Sequence, residues 1–320
     1  MIKTGIIGAE GLDAGELSRI LINHPEVDIK VMFSPDNNGR QVSSIHHGFI
    51  GEEIVNFSNT INPEELDVVF IMDDSIYGRT LIENRQNYPE LRIINLSPGR
   101  FARWDSFDME YGLSEYNRKA LVRGAKYAII PSQAASLALI ALSPLARYLL
   151  LNDDIRIEIA APQEVANNIN KTMVAEEIAR QLKNLQSSFN AGIEISVNPN
   201  KSRRVMRIKF LIPCQLSFEE ITRIYENTYD DHNFIFIHPS EIEGREIEGT
   251  HKCIISYQKK NPETLQVEIV GDCRLRGGAG DAVHVMNLFF SLYEKTGLNL
   301  KPSRYGASQE STSRSVSWFA

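Results

Sequence analysis

The first half of the chain alternates short apolar runs with segments whose apolar side chains recur every three or four positions. Lys3 to Ile7 and Val27 to Phe33 are typical of buried strands, and the residues between them carry the apolar stripe of a helix. Strands that alternate with helices in this way predict a Rossmann-like α/β fold with a doubly wound parallel sheet. A long apolar helix from about Ala134 to Leu151 follows this pattern.

After about residue 153 the pattern changes, because strands become longer and helices fewer. Runs such as Val205 to Ile212 and Leu265 to Val270 predict an α+β domain built on a largely antiparallel sheet. We therefore expect a dinucleotide-type domain over residues 1–152 and an α+β domain over residues 153–277. A helical C-terminal segment, 278–320, with a long helix over Asp281 to Lys295, is expected to complete the first domain. A helix over Phe218 to Tyr229 is expected among the strands of the second domain.

Composition argues against several classes of function. The 320 residues are 42% apolar and carry a formal net charge of −7. Proteins that bind nucleic acid usually carry a basic surface, so this composition argues against a nucleic-acid partner. Two serines, a proline and Arg147 interrupt the most apolar stretch, which makes a membrane span unexpected. Cys214, Cys253 and Cys273 are widely spaced and the N-terminus has no signal-peptide pattern, so we expect a cytoplasmic protein without disulfides or a zinc site.

A small-residue turn between the first strand and the first helix is the main candidate for ligand binding. It has the form Gly8-x-x-Gly11-x-x-Ala14. Glycines there let the backbone approach a pyrophosphate, and the start of a helix favours an anion. The turn predicts NAD or NADP as cofactor, with a plain tight turn as the alternative.

The residues after the second strand occupy the place of a ribose-binding site. Ser34 directly follows that strand, and Asp36 and Arg40 lie in the same turn. An acid there favours the free 2′-hydroxyl of NAD, whereas an arginine favours the 2′-phosphate of NADP. Because both are present, the choice stays open, and a merely solvated turn is an equal alternative.

Several motifs, spread from residue 5 to about 302, point to one enzyme family. They are Gly8-Ala9-Glu10-Gly11-Leu12, Tyr111-Gly112-Leu113-Ser114-Glu115-x-Asn117-Arg118 and Gly277-Gly278-Ala279-Gly280-Asp281-Ala282-Val283 with Met286-Asn287. In these motifs the chain resembles N-acetyl-gamma-glutamyl-phosphate reductase, a family of the semialdehyde dehydrogenase group. The resemblance implies a Rossmann domain, an α+β dimerisation domain and NADPH-dependent reduction of an acyl phosphate to a semialdehyde in arginine biosynthesis. It further implies a small acidic ligand, a homodimer or homotetramer, and Asn287 beside the cofactor.

This chain departs from the family where the resemblance places the chemistry. The nucleophilic cysteine of the family should begin the long helix, and Gln133 stands there. A carboxamide cannot form the thioester, which needs a thiolate. The family histidine should fall within residues 170–178, where Glu177 fits the motif but no histidine occurs. We expect a catalytically impaired or inactive homologue that retains dinucleotide binding; the alternative is an active oxidoreductase with a changed substrate or mechanism.

Other groups offer weaker candidates. His284 is the one histidine that family geometry places near the start of the long helix, so a nucleophile pairing it with Ser132 or Ser136 is conceivable. The alternative makes the serines helix caps and the histidine a packed helix residue. Residues 201–204 favour a solvated hairpin turn. The histidines and acids show no metal-ligand spacing, so no metal is expected.

Overall fold

The structure, a computed structural model, describes residues 1–100, 108–242 and 244–302, so residues 303–320 of the predicted segment 278–320 lie outside the described residues. Two sheets and the helices around them make up the described part. The strands of the first sheet are β1 (Ile2–Ile7), β2 (Val27–Phe33), β3 (Phe57–Ser58), β4 (Val68–Ile71), β5 (Arg92–Asn95), β6 (Glu110–Tyr111) and β7 (Tyr127–Ile129).

The first sheet is parallel throughout the described residues, which confirms the Rossmann-like prediction. Its strand order is β3-β2-β1-β4-β5-β7-β6, so the chain winds outward from β1 in both directions. Ile6 and Phe70 are opposite each other on the central strands and are fully buried. The carboxyl ends of β1, β4 and β5 therefore meet at one edge, where α/β sheets bind their ligands.

Helices cover both sheets. The last of them was predicted to run from Asp281 to Lys295, but it ends at Phe289 because Ser291 takes a left-handed φ of 55° and the amide of Leu292 turns back to the carbonyl of Asn287. The helices are α1 (Leu12–Leu21), α2 (Ile76–Glu83), α3 (Ser114–Val122), α4 (Gln133–Arg147), α5 (Gln163–Asn168), α6 (Lys171–Leu185), α7 (Phe218–Tyr229) and α8 (Ala279–Phe289).

The second sheet is mixed. Its order is β11-β12-β13-β10-β8-β9, with three antiparallel pairings in the centre and one parallel pairing at each edge. The prediction of a largely antiparallel sheet therefore holds for its centre and not for its edges. The strands are β8 (Ile155–Pro162), β9 (Ile193–Asn200), β10 (Val205–Pro213), β11 (Ile235–Ile237), β12 (Cys253–Asn261) and β13 (Thr264–Asp272).

Helix α4 is buried on all sides and belongs to the core of the second sheet. Every residue from Ala134 to Ala146 is buried, as expected of a helix that is apolar around its whole circumference. The second sheet and the helices packed on it form what we call the second unit. The backbone of α4 accepts a hydrogen bond from this unit, since the hydroxyl of Tyr225 on α7 donates to the carbonyl of Ala141 over 2.7 Å. These contacts fix the start of α4 between the two sheets.

The expectation of a solvated hairpin at residues 201–204 was wrong. Strand β8 separates β9 from β10, so no hairpin forms, and Arg204 instead joins the two units. Its guanidinium bonds to Glu16 on α1 and to Asp272 on β13, each over 2.7 Å. Burial would raise the pKa of Glu16, but the hydrogen bonds and charges of Arg204 and Arg19 outweigh it and lower that pKa to about 2.

Candidate functional site

A cleft of about 600 Å³ opens at the edge where the first sheet meets the second unit. It lies between the starts of α1, α4 and α6, and we refer to it as the α4 cleft. Its lining residues are Leu12, Asp13, Met72, Leu96, Pro98, Arg100, Ser132, Gln133, Ala134, Glu164, Val165, Asn168, Ile169, Asn170, Met173, Val174, Glu177, Arg274, Gly277 and Gly278.

The glycine turn lies next to one end of this cleft, since Leu12 and Asp13, which follow it, line the cleft. Gly8 takes a left-handed φ of +75°, and its amide and that of Ala9 donate to the carbonyl of Phe33 over 3.2 Å, so both amides are used within the protein. Gly11 precedes α1 and has no side chain that could cap its first-turn amides. Ala14 is fully buried in the packing of helix against sheet. The start of α1 is therefore the part of the turn that suits an anion.

One acidic side chain lies against that turn. A Cβ built on Gly8 would come within 2.7 Å of Cγ of Asp73, so a glycine is required there. Asp73 is half-buried, and its carboxylate accepts from the amide of Ser75 over 3.2 Å. A carboxylate this close opposes the negative charge of a phosphate. Sequence reasoning missed Asp73, since only the sheet brings the end of β4 beside the end of β1.

The predicted ribose-binding residues lie together at the end of β2. Asn37 connects two of them, because its amide donates to Oγ of Ser34 and its carbonyl accepts from Arg40, both over 2.8 Å. Ser34 is buried, while Asp36 and Arg40 are exposed. The structure therefore holds Arg40 in a defined place and leaves Asp36 facing solvent.

Gln133 is the first residue of α4 and faces the α4 cleft, half-buried. The backbone of Gly277, at φ +66°, packs directly on it, and a Cβ at Gly277 would come within 2.4 Å of Cα of Gln133. Ser132 caps the helix by accepting from the amide of Ala135 over 3.4 Å, which confirms the capping alternative for this serine.

A carboxylate on α6 completes the environment of the helix start. Glu177 accepts from both the hydroxyl and the amide of Ser132, over 2.6 and 3.0 Å, and from the hydroxyl of Tyr111 over 2.8 Å. Burial raises the pKa of Glu177, and the hydrogen bonds from Ser132 and the charge of Arg100 reverse only part of that rise. Glu177 is therefore a buried carboxyl group with a raised pKa at the wall of the cleft.

Two basic side chains line the cleft. Arg100 donates to the carbonyls of Ile130 and Pro131, over 2.6 and 3.0 Å, and so supports the loop that leads into α4. Arg274 donates to Asp13 over 2.8 Å and links the cleft to the first turn of α1. No sequence pattern singled out Arg274, which lies two residues beyond the end of β13.

The structure does not form the predicted pairing of serine with histidine. The hydroxyl of Ser136 donates to Asp281 over 2.8 Å, and Nε2 of His284 bonds to Glu294 over 2.9 Å. His284 does not line the α4 cleft. Position along α8 follows from sequence, but the direction in which a side chain leaves a helix depends on its packing, and here His284 faces away from α4.

Asn287 also lies away from the cleft. It is fully buried, its carbonyl oxygen bonds to Nε2 of His24 over 3.0 Å, and its amide donates to the carbonyls of Glu294 and Thr296 over 3.1 and 2.8 Å. The amide is thus used within the protein, and we leave Asn287 out of the cofactor site.

All three cysteines are buried and unpaired. Burial raises the pKa of Cys253 and of Cys273 to about 12, which keeps both as thiols. Among the described residues that line the α4 cleft there is neither a cysteine nor a histidine. In the part of the chain that the structure describes, no helix has the length and apolar character of a membrane span.

Comparison with known proteins supports both the fold and the resemblance. Residues 3–123 match the family model described as semialdehyde dehydrogenase, NAD binding domain. N-acetyl-gamma-glutamyl-phosphate reductase of Phocaeicola vulgatus is 35% identical over 95% of this chain and 100% of its own length. The reductase of Bacteroides fragilis strain YCH46 is 34% identical with the same coverage.

Solved structures share the fold at low identity. Aspartate semialdehyde dehydrogenase from Francisella tularensis superposes with a TM-score of 0.68 at 13% identity, covering 91% of this chain and 100% of that one. Aspartate semialdehyde dehydrogenase II from Vibrio cholerae gives 0.66 at 11% identity, over 92% and 99% of the two chains. The predictions of the family, the fold class and a nicotinamide dinucleotide as cofactor are thereby confirmed.

Proposed function

This chain belongs to the N-acetyl-gamma-glutamyl-phosphate reductase family, and from that premise we propose that it binds a nicotinamide dinucleotide but is impaired or inactive in thioester chemistry. The observation that carries the proposal is Gln133 at the start of α4, facing the α4 cleft. An amide side chain offers no nucleophile comparable with a thiolate.

The buried cysteines support this proposal. The pKa of Cys253 and Cys273 is raised to about 12, so thiolate is scarce at neutral pH. Neither these two residues nor Cys214 belongs to the described lining of the cleft. An acyl phosphate bound beside Gln133 would therefore meet no thiolate from the described residues.

The cofactor we propose is NADP, which when bound supplies or accepts a hydride. Asn37 bonds both to Arg40 and to the buried Ser34, so a guanidinium and a hydroxyl lie on either side of Asn37 at the end of β2. This pair suits a 2′-phosphate, whereas Asp36 faces solvent. We expect Arg40→Ala to weaken NADPH binding by about 10- to 100-fold, the value of one charge-assisted hydrogen bond. NADH binding should change by less than about threefold.

The deciding experiment measures binding and turnover separately. NADPH binding to the full chain is followed by fluorescence, and NADP reduction is measured with N-acetylglutamate semialdehyde and inorganic phosphate, for the wild type and for Gln133→Cys. We expect NADPH binding without wild-type turnover, and at most slow turnover in Gln133→Cys, because residues 170–178 contain no histidine.

The other outcomes have clear meanings. Wild-type turnover abolished by a dinucleotide-site change would overturn the proposal in favour of an active enzyme. Failure to bind either dinucleotide would overturn the binding half of the proposal. Gln133→Ala serves as the matched control, since it changes the same position without supplying a thiol.

Glu177 supports a second candidate, an oxidoreductase of changed mechanism. Hydride transfer from NADPH to a free carbonyl group needs one proton and no thioester. Glu177 lines the cleft, and burial raises its pKa, so it is suited to hold that proton. Oxidation of NADPH by small aldehydes that disappears in Glu177→Gln would favour this candidate over the first.

Assembly and location follow the family expectation and remain predictions. We propose a homodimer or homotetramer formed through the face of the second sheet that carries Arg156 on β8 and Arg207 and Lys209 on β10. Lys209 lies 3.0 Å from Glu268 on the neighbouring strand, so this face is charged. Light scattering on the purified chain tests the assembly. The domain boundaries, the cytoplasmic location and a role in arginine biosynthesis are proposals of the same kind.

A further inference from the structure

Three buried side chains from distant parts of the chain converge between α3, α8 and the segment before β12. They are Glu115, His251 and His284, which we call the histidine cluster. One potential ligand atom from each lies within 4.8 Å of the other two. Their exposed fractions are 8%, 0% and 2%, so solvent does not satisfy them.

Several polar atoms of this cluster have no hydrogen-bond partner. They are Oε2 of Glu115, Nδ1 of His284 and both ring nitrogens of His251, of which one carries a proton in the neutral ring and the other offers a lone pair. A buried polar atom without a partner has lost its hydrogen bonds to water and gained none in return, so several such atoms together indicate a missing partner. Lone pairs that face one another need a cation or a proton donor between them.

Two neighbouring charged side chains, Glu294 and Arg276, orient members of the cluster in the way that metal sites require. Glu294 accepts from Nε2 of His284 over 2.9 Å, which leaves the lone pair on Nδ1. Such carboxylate–histidine pairs fix the tautomer of a metal-binding imidazole. Oε1 of Glu115 is bonded to Arg276 over 2.6 Å, so that its other oxygen is the one available to a ligand.

The packing around the imidazoles is equally specific. The ring of Phe234 lies edge-on to His251 and His284, with centroid distances of 4.7 and 5.2 Å. Gly280 makes room for His251, because a Cβ there would come within 2.3 Å of Nδ1. Both rings are thereby confined to orientations close to those observed.

Charge balance favours a cation. Glu115, Asp281 and Glu294 surround the cluster, and the fully buried Arg276 pairs with the first two. Arg118 pairs with Glu294 at the surface, with a side chain 59% exposed. Three negative charges against two positive charges leave one to be compensated. A cation at the point where the lone pairs converge supplies that compensation, and the donor atoms decide its kind.

We propose that Glu115, His251 and His284 form a binding site for a divalent transition metal of the zinc class. Two imidazoles and one carboxylate are a donor set typical of zinc, whereas calcium and magnesium prefer oxygen ligands. Tetrahedral zinc places its ligand atoms about 3.3 Å apart, so small side-chain rotations close the site. The fourth position falls to water or to Asp281, whose Oδ1 lies 3.4 Å from Nε2 of His251.

The site would act as a clamp between the two units. Glu115 and His284 come from helices of the first sheet, and His251 precedes a strand of the second. A metal bound to all three therefore stabilises their docking. This role is independent of the proposed loss of thioester chemistry, because none of the three side chains lines the α4 cleft.

Metal binding by the full chain tests the proposal. The protein is stripped with a chelator and titrated with Zn²⁺ and Co²⁺, and the metal content and the affinity against a chromophoric chelator are measured. We expect one equivalent per chain. His284→Gln and His251→Asn should each weaken binding more than 100-fold, and Glu294→Gln, which removes an orienting partner, by about 10- to 100-fold. His232→Gln, a change at a histidine outside the cluster, is the matched control and should bind as the wild type does.

The absorption spectrum of the Co²⁺ form of the wild type keeps the test decisive if a variant fails to fold. Tetrahedral bands without thiolate charge transfer support the site. Octahedral bands or thiolate bands overturn it, as do the absence of a stoichiometric metal and equal binding by the wild type and both histidine variants.

Discussion

The α4 cleft and the histidine cluster both contain a buried glutamate, but they differ in whether both carboxylate oxygens of that glutamate have hydrogen-bond partners. Glu177 in the cleft accepts three hydrogen bonds from Ser132 and Tyr111. Glu115 in the cluster binds Arg276 through one oxygen and leaves the other without a partner. The polar groups of the cleft wall therefore need no ligand to be stable, whereas those of the cluster do.

This difference separates two kinds of functional evidence. An open cavity whose polar wall is satisfied can bind a ligand or remain solvated, so its function has to be argued from the identity of Gln133. A closed cluster with unpaired acceptors indicates a ligand through its own energetics, whatever the chain does in catalysis.

The largest expected effect is that of replacing Arg276, the buried arginine that pairs with Glu115 and Asp281. In metal-free protein, Arg276→Met leaves Glu115 and Asp281 as buried charges without their guanidinium partner. We expect the free energy of unfolding to fall by about 3–5 kcal/mol, measured by urea denaturation. Added Zn²⁺ should restore more stability to this variant than to the wild type, because it replaces the missing positive charge.

Lys30→Met is the control for that loss. Its side chain is 46% exposed and lies 2.5 Å from Asp28, so the change should cost less than about 1 kcal/mol. A loss below about 1 kcal/mol in Arg276→Met as well would show that the cluster is not held by this charge.

A matched pair of glutamate substitutions tests the comparison directly. Glu115→Gln removes a charge that pairs with Arg276 and should cost about 2–3 kcal/mol. Glu177→Gln should change stability by less than about 1 kcal/mol, because its carbonyl still accepts from Tyr111 and its amide can donate to the rotatable hydroxyl of Ser132. Chemical denaturation of both variants at neutral pH measures the difference, and equal losses would contradict the distinction drawn between the two regions.

A smaller effect is expected from the hydroxyl that supports Glu177. Tyr111→Phe removes a donor to a carboxylate at 2.8 Å and should cost about 1.5–2 kcal/mol. Tyr116→Phe removes a hydroxyl that donates to the carbonyl of Gln181 over the same distance, and should cost about 1 kcal/mol. Thermal and urea unfolding of the two variants compare them. If the first loss is no larger than the second, the carboxylate adds nothing to the network.

Local patterns predicted the elements well where the sequence carries both periodicity and a terminus signal. The predicted bounds of β2 and α7 coincide with the observed ones, and α7 begins at a capping box of Ser217 and Glu220. The end of α8 was misplaced because apolar residues continue beyond Phe289 although the backbone reverses at Ser291.

The candidate sites divide in the same way. The glycine turn was predictable as a turn between strand and helix, since its residues are neighbours along the chain. The histidine cluster was not, because its three residues lie far apart in sequence and only the docking of α3, α8 and β12 brings them together. Arg204 was misjudged for a related reason: its partners, Glu16 and Asp272, lie on other elements.

The smallest effect concerns pH and again sets the cleft apart. Burial raises the folded-state pKa of Glu177 above its ordinary value of 4.5, so the native state binds that proton more tightly than the unfolded state does. Its contribution to stability is therefore full below about pH 4.5 and is lost as pH rises through the folded-state pKa. We expect Glu177→Gln to remove this decline, which denaturation midpoints of wild type and variant between pH 4 and 8 would measure.

Glu16 provides a control of opposite sign. Its folded-state pKa, about 2, lies below 4.5, so its contribution is present above pH 4.5 and is lost as pH falls toward 2. Glu16→Gln should thus flatten the acid side of the profile, and Glu177→Gln the side above pH 4.5. A wild-type profile that Glu177→Gln leaves unchanged would mean that the cleft accommodates the charged carboxylate without cost. Glu177 would then be unsuited to hold the proton required by the second candidate function.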